Sequence, residues 1–291
     1  MRVCLVVNPQ AGRGRAGRFA LRVWALLRRA FRDLELALSQ SARHLTELAE
    51  EAVSAGYDLL VGCGGDGTVH HLLAPISGSS MKLGIIPMGS GNDLARSLRL
   101  PNDYGAACEI IARGRTRVLD LARIGDRFFA SVASVGLSAE VNRLANAQTP
   151  SVFGGRWRYL GALFRELRSY APRSLHLWVD GRELEREVVL AAVGNGAFFG
   201  GGFKILPDAE VDDGWLDLCL VNRLDRFRIL RAIPSVYRGR HREHPAAEFY
   251  RARRIRILSP ERLSVFADGE YVQETPVAIE IVPRAIRVIV P

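Results

Sequence analysis

A chain of 291 residues with 48% hydrophobic and 24% charged residues has enough apolar material for two cores, which excludes a disordered or low-complexity protein. Its four cysteines lie singly and form no CxxC pair, which excludes a zinc knuckle and a disulfide framework. The net charge of +9 favours polyanionic partners such as phosphorylated small molecules or an anionic membrane surface, although a basic solvated surface accounts for it equally well.

Charge alone also suggests nucleic acid, but we expect only weak, salt-sensitive binding and no specific nucleic-acid partner. No apolar run reaches the roughly 20 residues that a membrane-spanning helix requires, and the apolar stretch near the N-terminus is too short for a signal peptide. We therefore expect a cytoplasmic protein whose membrane contact is peripheral.

The first 120 residues alternate between short apolar strands and amphipathic helices. Strands are predicted at Val3–Val7, Leu34–Leu38, Leu59–Cys63 and Leu83–Ile86. Between them, apolar residues recur at helical spacing. This alternation predicts a parallel sheet with helices on both faces, in which ligands bind at the carboxyl ends of the strands.

The pattern changes after about Asp120. Gly125-Asp126 and Asp180-Gly181 are typical two-residue hairpin turns, and short strand candidates follow one another, with helices predicted only at Trp157–Leu167 and Phe227–Tyr237. We therefore predict two domains, an α/β domain over residues 1–122 and a mostly antiparallel β domain over residues 123–291. Whether the last strand returns to the first domain is left open.

Glycine-rich turns follow three of the predicted strands. Residues 64–68 read Gly-Gly-Asp-Gly-Thr, residues 87–93 read Pro-Met-Gly-Ser-Gly-Asn-Asp, and residues 8–14 read Asn-Pro-Gln-Ala-Gly-Arg-Gly. Glycine lets backbone N–H groups approach an anion closely, so these turns predict a phosphate site. A divalent cation would explain why Asp66 and Asp93 lie beside phosphate.

Two common nucleotide motifs are excluded. No Gly-Lys-Ser/Thr follows the glycines, so there is no Walker A loop. Gly12-x-Gly14 lacks the third glycine of a dinucleotide fingerprint, and the second strand runs into Ser39-Gln40-Ser41 without an acidic residue.

Taken together, the turns at 64–68 and 87–93 resemble those of the diacylglycerol kinase and sphingosine kinase catalytic family, including its stand-alone bacterial lipid kinases. Gly-Gly-Asp-Gly-Thr also occurs in NAD kinases and, more loosely, in phosphofructokinases. Pro87 to Arg96, however, fits the lipid-kinase pattern Pro-x-Gly-Ser/Thr-x-Asn-Asp-Leu/Phe-Ala-Arg throughout. The resemblance implies a three-layer nucleotide-binding kinase domain like that of NAD and diacylglycerol kinases, followed by a β-sandwich domain for the lipid substrate.

The resemblance also implies ATP and Mg²⁺ as cofactors and assigns roles to particular residues. The expected nucleotide-binding residues are Asn8, Pro9, Gly12, Ser39, Gly64, Gly65, Asp66, Gly67, Thr68, Gly89, Ser90 and Asn92. Asp66, Asp93 and Asp120 would hold Mg²⁺ directly or through water. Glu270, in Asp268-Gly269-Glu270, would be the general base, with Asp66 also catalytic, although the same three residues fit a plain hairpin turn.

A separate structural metal is implied at the Asp213 carboxylate, with backbone carbonyls near Glu210 and Trp215.

In one place the chain departs from the family, because His70-His71 stands where Asn-Glu is usual. Adjacent helical residues point about 100° apart, so we do not expect these histidines to share a metal. The segment 153–165, with arginines interleaved among aromatic residues, predicts either a membrane-touching element or a helix packed on the β domain.

The expected function is ATP- and Mg²⁺-dependent transfer of the γ-phosphoryl group to the hydroxyl of a diacylglycerol-like lipid at a membrane surface. Two alternatives stay open: a kinase of a soluble or sphingoid acceptor, similar to NAD kinases, and a catalytically weak nucleotide-binding regulator. The identity of the lipid and the formation of a homodimer are also left open.

Overall fold

The computed structural model describes residues 1–147, 155–168 and 170–291. The described chain divides into two compact units. Met1–Leu121 and Pro283–Pro291 form the first, and Ala122–Val282 forms the second. The chain therefore leaves the first unit once and returns to it with its last residues.

The first unit is a parallel sheet with helices. Its elements are β1 (Arg2–Val7), α1 (Arg15–Arg28), β2 (Asp33–Leu38), α2 (Ala42–Ser54), β3 (Leu59–Gly64), α3 (Asp66–Ile76), β4 (Lys82–Pro87), α4 (Asp93–Ser97), α5 (Tyr104–Arg113), most of β5 (Thr116–Ile124) and the end of β15 (Val277–Ile289). The strand order is β2-β1-β3-β4-β15, and each of these neighbouring pairs is parallel.

Burial explains why these segments adopt their structures. All six residues of β3 are buried, as expected for a central strand covered on both faces. In α1 the buried residues are Ala16, Ala20, Val23 and Leu27, whose spacing places them on one face of the helix. The helices therefore pack on the sheet and leave the ends of its strands to the connecting loops.

The second unit is an antiparallel β-sandwich with added helices. Its elements are β6 (Arg127–Phe129), β7 (Val132–Gly136), α6 (Leu137–Ala147), α7 (Gly155–Glu166), β8 (Arg173–Val179), β9 (Arg182–Gly194), β10 (Leu216–Asn222), α8 (Arg226–Tyr237), a 3₁₀ helix (Arg240–Glu243), β11 (Ala247–Ala252), β12 (Arg254–Leu258), β13 (Ser264–Ala267) and β14 (Glu270–Glu274), together with the first part of β15. The long strand β9 pairs with β8 along its first half and with β7 and β10 along its second half.

The predicted fold class, an α/β unit followed by a mostly antiparallel β unit, is confirmed. Both predicted hairpin turns are also present, since Gly125-Asp126 joins β5 to β6 and Asp180-Gly181 joins β8 to β9. The backbone φ angles of Asp180 and Gly181 are 46° and 88°, the left-handed values that a two-residue hairpin turn requires.

Three local predictions are wrong. The helix α6 was not expected, although Leu137 and Val141 have helical spacing and lie in an apolar core. The strand predicted over 128–134 is interrupted, because Ala130 and Ser131 donate their backbone N–H groups to the carboxylate of Asp268. The last two predicted strands form the single strand β15.

The aromatic and basic segment at 153–165 is described only in part. Residues 155–166 form α7, and within the described side chains Ala162 and Leu163 are buried in the second unit while Phe164 is exposed. Phe153 and the side chains of residues 155–160 lie outside the described part of the chain. Within that part, no helix has both the length and the apolar character needed to cross a bilayer.

Glu248 on β11 is the centre of a hydrogen-bonded group in the second unit. Arg186 donates to both of its carboxylate oxygens at 2.9 to 3.2 Å, and Asn222 Nδ2 donates to Oε1 at 2.5 Å. Chiefly through the hydrogen bonds from the Arg186 guanidinium, the pKa of Glu248 is lowered to about 2. The stabilisation is therefore present above the pKa of the unfolded chain and is lost as the pH falls toward 2.

We expect Glu248→Gln to lower the free energy of unfolding by about 1–2 kcal/mol at pH 7, allowing for solvent screening of this partly exposed group. The difference from the wild type should shrink as the pH falls below 4.5, because the Glu248 carboxylate is then protonated in the unfolded chain but still ionised in the folded protein. Urea unfolding at several pH values measures this, with the exposed Glu183→Gln as the control. If the difference in unfolding free energy between the wild type and Glu248→Gln did not change with pH, the lowered pKa of Glu248 would be contradicted.

Candidate active site

The three glycine-rich loops meet at one edge of the parallel sheet. Because β1, β3 and β4 are neighbours and parallel, the loops that follow them leave the sheet side by side. Asn8 N donates to the carbonyl of Cys63 at 3.1 Å, and Met88 N donates to the carbonyl of Gly64 at 2.7 Å. The structure therefore brings together the loops that the sequence separates by up to 80 residues.

Close backbone contact explains several of the glycines. A Cβ atom at Gly89 would lie 2.4 Å from the Cα atom of Gly65, and one at Gly12 would lie 2.0 Å from the carbonyl oxygen of Met88. Gly12 also has a φ angle of +59°, where a side chain is strained. These glycines are required for the loops to pack against each other, in addition to any contact with a ligand.

Asp66 links the second and third loops. It is the first residue of α3, and its two carboxylate oxygens accept hydrogen bonds from the backbone N–H groups of Asn92 and Asp93, each at 2.6 Å. A carboxylate at the start of a helix is also favoured by the helix dipole, here that of both α3 and α4. The sequence predicted that Asp66 binds a metal. The structure shows that its carboxylate also holds the 87–93 turn through two hydrogen bonds.

Two other polar side chains fix the same loops. Asn92 has a φ angle of 56°, and its amide group exchanges hydrogen bonds with the backbone of Gly89 at 2.9 and 3.0 Å. Thr68 is 2% exposed, and its hydroxyl oxygen accepts a hydrogen bond from Asn8 Nδ2 at 3.0 Å. Both residues were predicted to bind nucleotide, and in the structure their side chains hold the loops in place.

The remaining predicted nucleotide residues lie around these loops. Ser90 is exposed, whereas Ser39, which follows β2, is 8% exposed and donates its N–H to the carbonyl of Val7 at 2.9 Å. On α3, His70 is buried, and its ring meets that of His71 edge to face at 5.5 Å. Of the two serines, Ser90 is the one whose hydroxyl is accessible to solvent beside the glycine turns.

The donor set of the first unit is chemically suited to Mg²⁺. Asp93 is 6% exposed and Asp120 is 2% exposed, and Asp120 Oδ1 accepts a hydrogen bond from Arg284 N at 2.7 Å. Backbone N–H groups donate to both Asp66 and Asp120, and a carboxylate offers about four lone-pair sites on its two oxygens. The described residues include no trio of His, Cys, Asp or Glu arranged to hold a metal.

Glu270 begins β14, directly after the tight turn made by Asp268 and Gly269, whose φ angles are 50° and 86°. Its side chain is partly exposed, and it pairs with Ala267 across the hairpin. Asp268 next to it accepts hydrogen bonds from two backbone N–H groups at 2.9 and 3.0 Å. Within the motif, Asp268 therefore has a structural contact, while Glu270 is the partly exposed first residue of β14.

The Asp213 carboxylate, which was expected to hold a structural metal, is in contact with other groups of the protein. Asp213 accepts a hydrogen bond from Trp215 N at 3.1 Å, and its other carboxylate oxygen contacts the Arg251 guanidinium. The same guanidinium lies 3.8 Å from Asp217, whose pKa is raised to about 6 by burial, with Arg251 opposing the shift and Glu210 adding to it. The contact with a positive charge weighs against a metal ion at Asp213, and the structural metal at Glu210, Asp213 and Trp215 stays a prediction.

The second unit contains an apolar cavity that the sequence patterns did not predict. It is lined by Leu137 and Val189, by Phe199 and Phe203 of the loop that precedes β10, and by one side of α8. The one serine in this lining, Ser138, is 3% exposed, and among the described residues its hydroxyl oxygen has no hydrogen-bond partner. The cavity draws on segments far apart in the chain, so no single motif signals it.

The contact between Gly65 and Gly89 gives a direct test of the loop packing. We expect Gly89→Ala to lower the free energy of unfolding by about 2 kcal/mol or more and to weaken ATP binding, because its Cβ would overlap the Gly65 backbone. Thermal unfolding and nucleotide titration measure the two effects. Gly161→Ala on α7 is the control, since no described atom lies within 4 Å of its Cβ, and alanine should stabilise the helix slightly. Equal behaviour of the two variants would contradict this packing.

Comparison with known proteins shows the family. Residues 2–124 match the family model described as the diacylglycerol kinase catalytic domain, and residues 131–290 match the YegS C-terminal NAD kinase beta sandwich-like domain. A diacylglycerol kinase of Mycobacterium tuberculosis (strain ATCC 25618 / H37Rv) is 34% identical over 100% of the chain and 95% of its own length. One from Staphylococcus aureus (strain MRSA252) is 28% identical over 100% and 92%.

The solved structures agree with this. The crystal structure of a diacylglycerol kinase from Bacillus anthracis str. Sterne matches with a TM-score of 0.81 and 28% identity, covering 100% of this chain and 97% of that one. A matching catalytic-domain model, a matching sandwich-domain model and full-length relatives above 30% identity lead to one conclusion. The chain belongs to the diacylglycerol kinase family.

Proposed function

We propose that the protein is an ATP- and Mg²⁺-dependent lipid kinase that transfers the γ-phosphoryl group to the hydroxyl of a diacylglycerol-like lipid. Membership of the family supports a lipid kinase in general. The observation that carries the finer proposal is the Asp66 carboxylate, which joins the glycine turns 64–68 and 87–93 through two backbone hydrogen bonds.

The nucleotide phosphates would lie against these turns. Asp66, Gly67 and Thr68 form the first turn of α3, and the N-terminus of a helix favours an anion through its backbone N–H groups and its dipole. Ser90 would add a hydroxyl from the neighbouring turn. When bound, Mg²⁺ would neutralise charge that develops on the transferred phosphoryl group, and Asp66, Asp93 and Asp120 would hold it through water.

For the lipid hydroxyl to accept the phosphoryl group, the protein needs a base that takes the hydroxyl proton and a site that holds the lipid chains. Glu270 would take the proton of the attacking hydroxyl, since it presents a partly exposed carboxylate at the end of a rigid turn. The apolar cavity of the second unit would take acyl methylene groups, which pack against Phe199 and Phe203. Within it, the Ser138 hydroxyl would meet a polar atom of the lipid, because a buried hydroxyl without a partner is costly.

A panel of acceptors distinguishes this proposal from its alternatives. The protein would be incubated with ATP and Mg²⁺ and with diacylglycerol, ceramide, a sphingoid base, phosphatidylglycerol or NAD in separate reactions. We expect phosphorylation of a lipid with two acyl chains and none of NAD. Phosphorylation of NAD alone would favour a soluble acceptor, and ATP binding without any phosphorylated product would favour a regulator.

A further inference from the structure

The helix α8 is packed only loosely on the second unit. None of its residues is fully buried, although Ile229, Ile233 and Val236 on one side line the apolar cavity. Its opposite side carries Phe227, which is 70% exposed. A single exposed aromatic side chain is common on protein surfaces, so its meaning depends on the residues around it.

The surroundings of Phe227 are strongly basic. Between residues 223 and 242 the sequence has seven arginines and one aspartate. Arg223 pairs with Glu187 at 3.3 Å, and Arg228 pairs with Asp225 at 3.1 Å. Among the described residues, Arg226, Arg231 and Arg238 have no carboxylate partner, and all three are exposed.

This distribution resembles that of an interfacial helix. Phe227, Arg231, Pro234 and Arg238 follow one another at positions i, i+4, i+7 and i+11, so they share the outward side of α8. Arginines around one exposed aromatic ring suit a surface with negative headgroups and an apolar interior. The inward side of the same helix lines the cavity to which we assign the acyl chain, so docking here would bring that cavity to the source of its lipid.

We propose that the outward side of α8 docks on an anionic lipid bilayer, with the arginines against the headgroups and Phe227 inserted among them. The proposal rests on the proposed lipid kinase function, which names the acceptor but not the surface by which the protein reaches it. A single strand of nucleic acid would also attract arginines and an aromatic ring, but it would leave the apolar cavity without a role.

Vesicle flotation of the full chain tests the docking surface without measuring activity. Phosphatidylcholine vesicles with and without phosphatidylglycerol are the probes. We expect Arg231→Gln with Arg238→Gln to weaken partition into the anionic vesicles about 30-fold, and Phe227→Ser to weaken it about tenfold. Partition should fall as salt is added and should be weak on phosphatidylcholine alone.

The helix α1 of the first unit provides a matched control. Leu21 is 72% exposed there and is flanked by the exposed Arg18 and Arg22. We expect Leu21→Ser and Arg18→Gln with Arg22→Gln to leave the partition coefficient unchanged. Equal losses for α1 and α8 variants would overturn the proposal, as would tighter binding of the wild type to single-stranded DNA than to anionic vesicles at the same salt concentration.

Turnover in detergent micelles separates this proposal from the kinase function. With diacylglycerol dispersed in neutral micelles, the α8 variants should phosphorylate the lipid as fast as the wild type, because docking on a charged bilayer is no longer needed. Loss of turnover in micelles as well would overturn the docking role of α8. Absence of turnover in the wild type would contradict the kinase function, whereas flotation would still report on docking.

Discussion

Asp66→Asn is expected to lower kcat/KM for phosphoryl transfer by about 10²–10³-fold, because it disturbs the positioning of the phosphate-binding turns. The carboxylate accepts two backbone N–H groups at 2.6 Å. An amide offers one oxygen and turns its own N–H₂ group toward the second donor, which leaves a buried N–H unsatisfied. We also expect a loss of about 2 kcal/mol in the free energy of unfolding.

Steady-state kinetics, ATP titration and urea unfolding measure these effects. Asp103→Asn is the matched control, since Asp103 accepts a hydrogen bond from Ala106 N at 2.8 Å at the start of α5 in the same unit. Asparagine caps a helix about as well as aspartate, so this variant should keep both stability and turnover. If Asp66→Asn bound ATP and turned over like the wild type, the turns would not depend on the carboxylate.

Glu270→Gln is expected to lower kcat by about 10²–10⁴-fold while ATP binding is unchanged. Glutamine keeps the size of the side chain and its place at the start of β14, but it cannot accept the proton of the acceptor hydroxyl. The residue lies after a two-residue turn, and Asp268 rather than Glu270 makes the hydrogen bonds that hold this turn to residues 130–131. Folding should therefore be insensitive to the substitution.

The control for Glu270→Gln lies at the other end of the same strand. Glu274 is exposed and lies 3.7 Å from Arg262, so Glu274→Gln removes a surface charge of the same kind. We expect it to leave kcat unchanged, as surface ion pairs contribute little. Similar losses in the two variants, or substantial transfer by Glu270→Gln, would remove Glu270 from the role of base.

Local patterns predicted the framework of the fold well. Apolar runs such as Leu59–Cys63 marked the buried strands, and the glycine turns after them marked the edge where the loops meet. Hairpins were also predictable, because Asp180-Gly181 supplies both left-handed residues within two positions. In each case the physical cause acts over a few neighbouring residues, so the sequence displays it directly.

Contacts between distant residues were not predictable. Asp120 receives its hydrogen bond from the backbone of Arg284, and Asp268 receives its bonds from residues more than 130 positions earlier. A backbone N–H donor has no signature in residue type. The contact between Asp213, in the loop before β10, and Arg251 on β11 depends in the same way on the pairing of β10 with β11.

The central claim is that ATP gives its γ-phosphoryl group to a lipid hydroxyl. Two parallel reactions with diacylglycerol and Mg²⁺, one with ATP labelled at the γ-phosphate and one with ATP labelled at the α-phosphate, test it directly when the lipid fraction is extracted and counted. The account predicts label in the lipid from γ-labelled ATP only, and none when Mg²⁺ is chelated. A lipid fraction without label from γ-labelled ATP would contradict it.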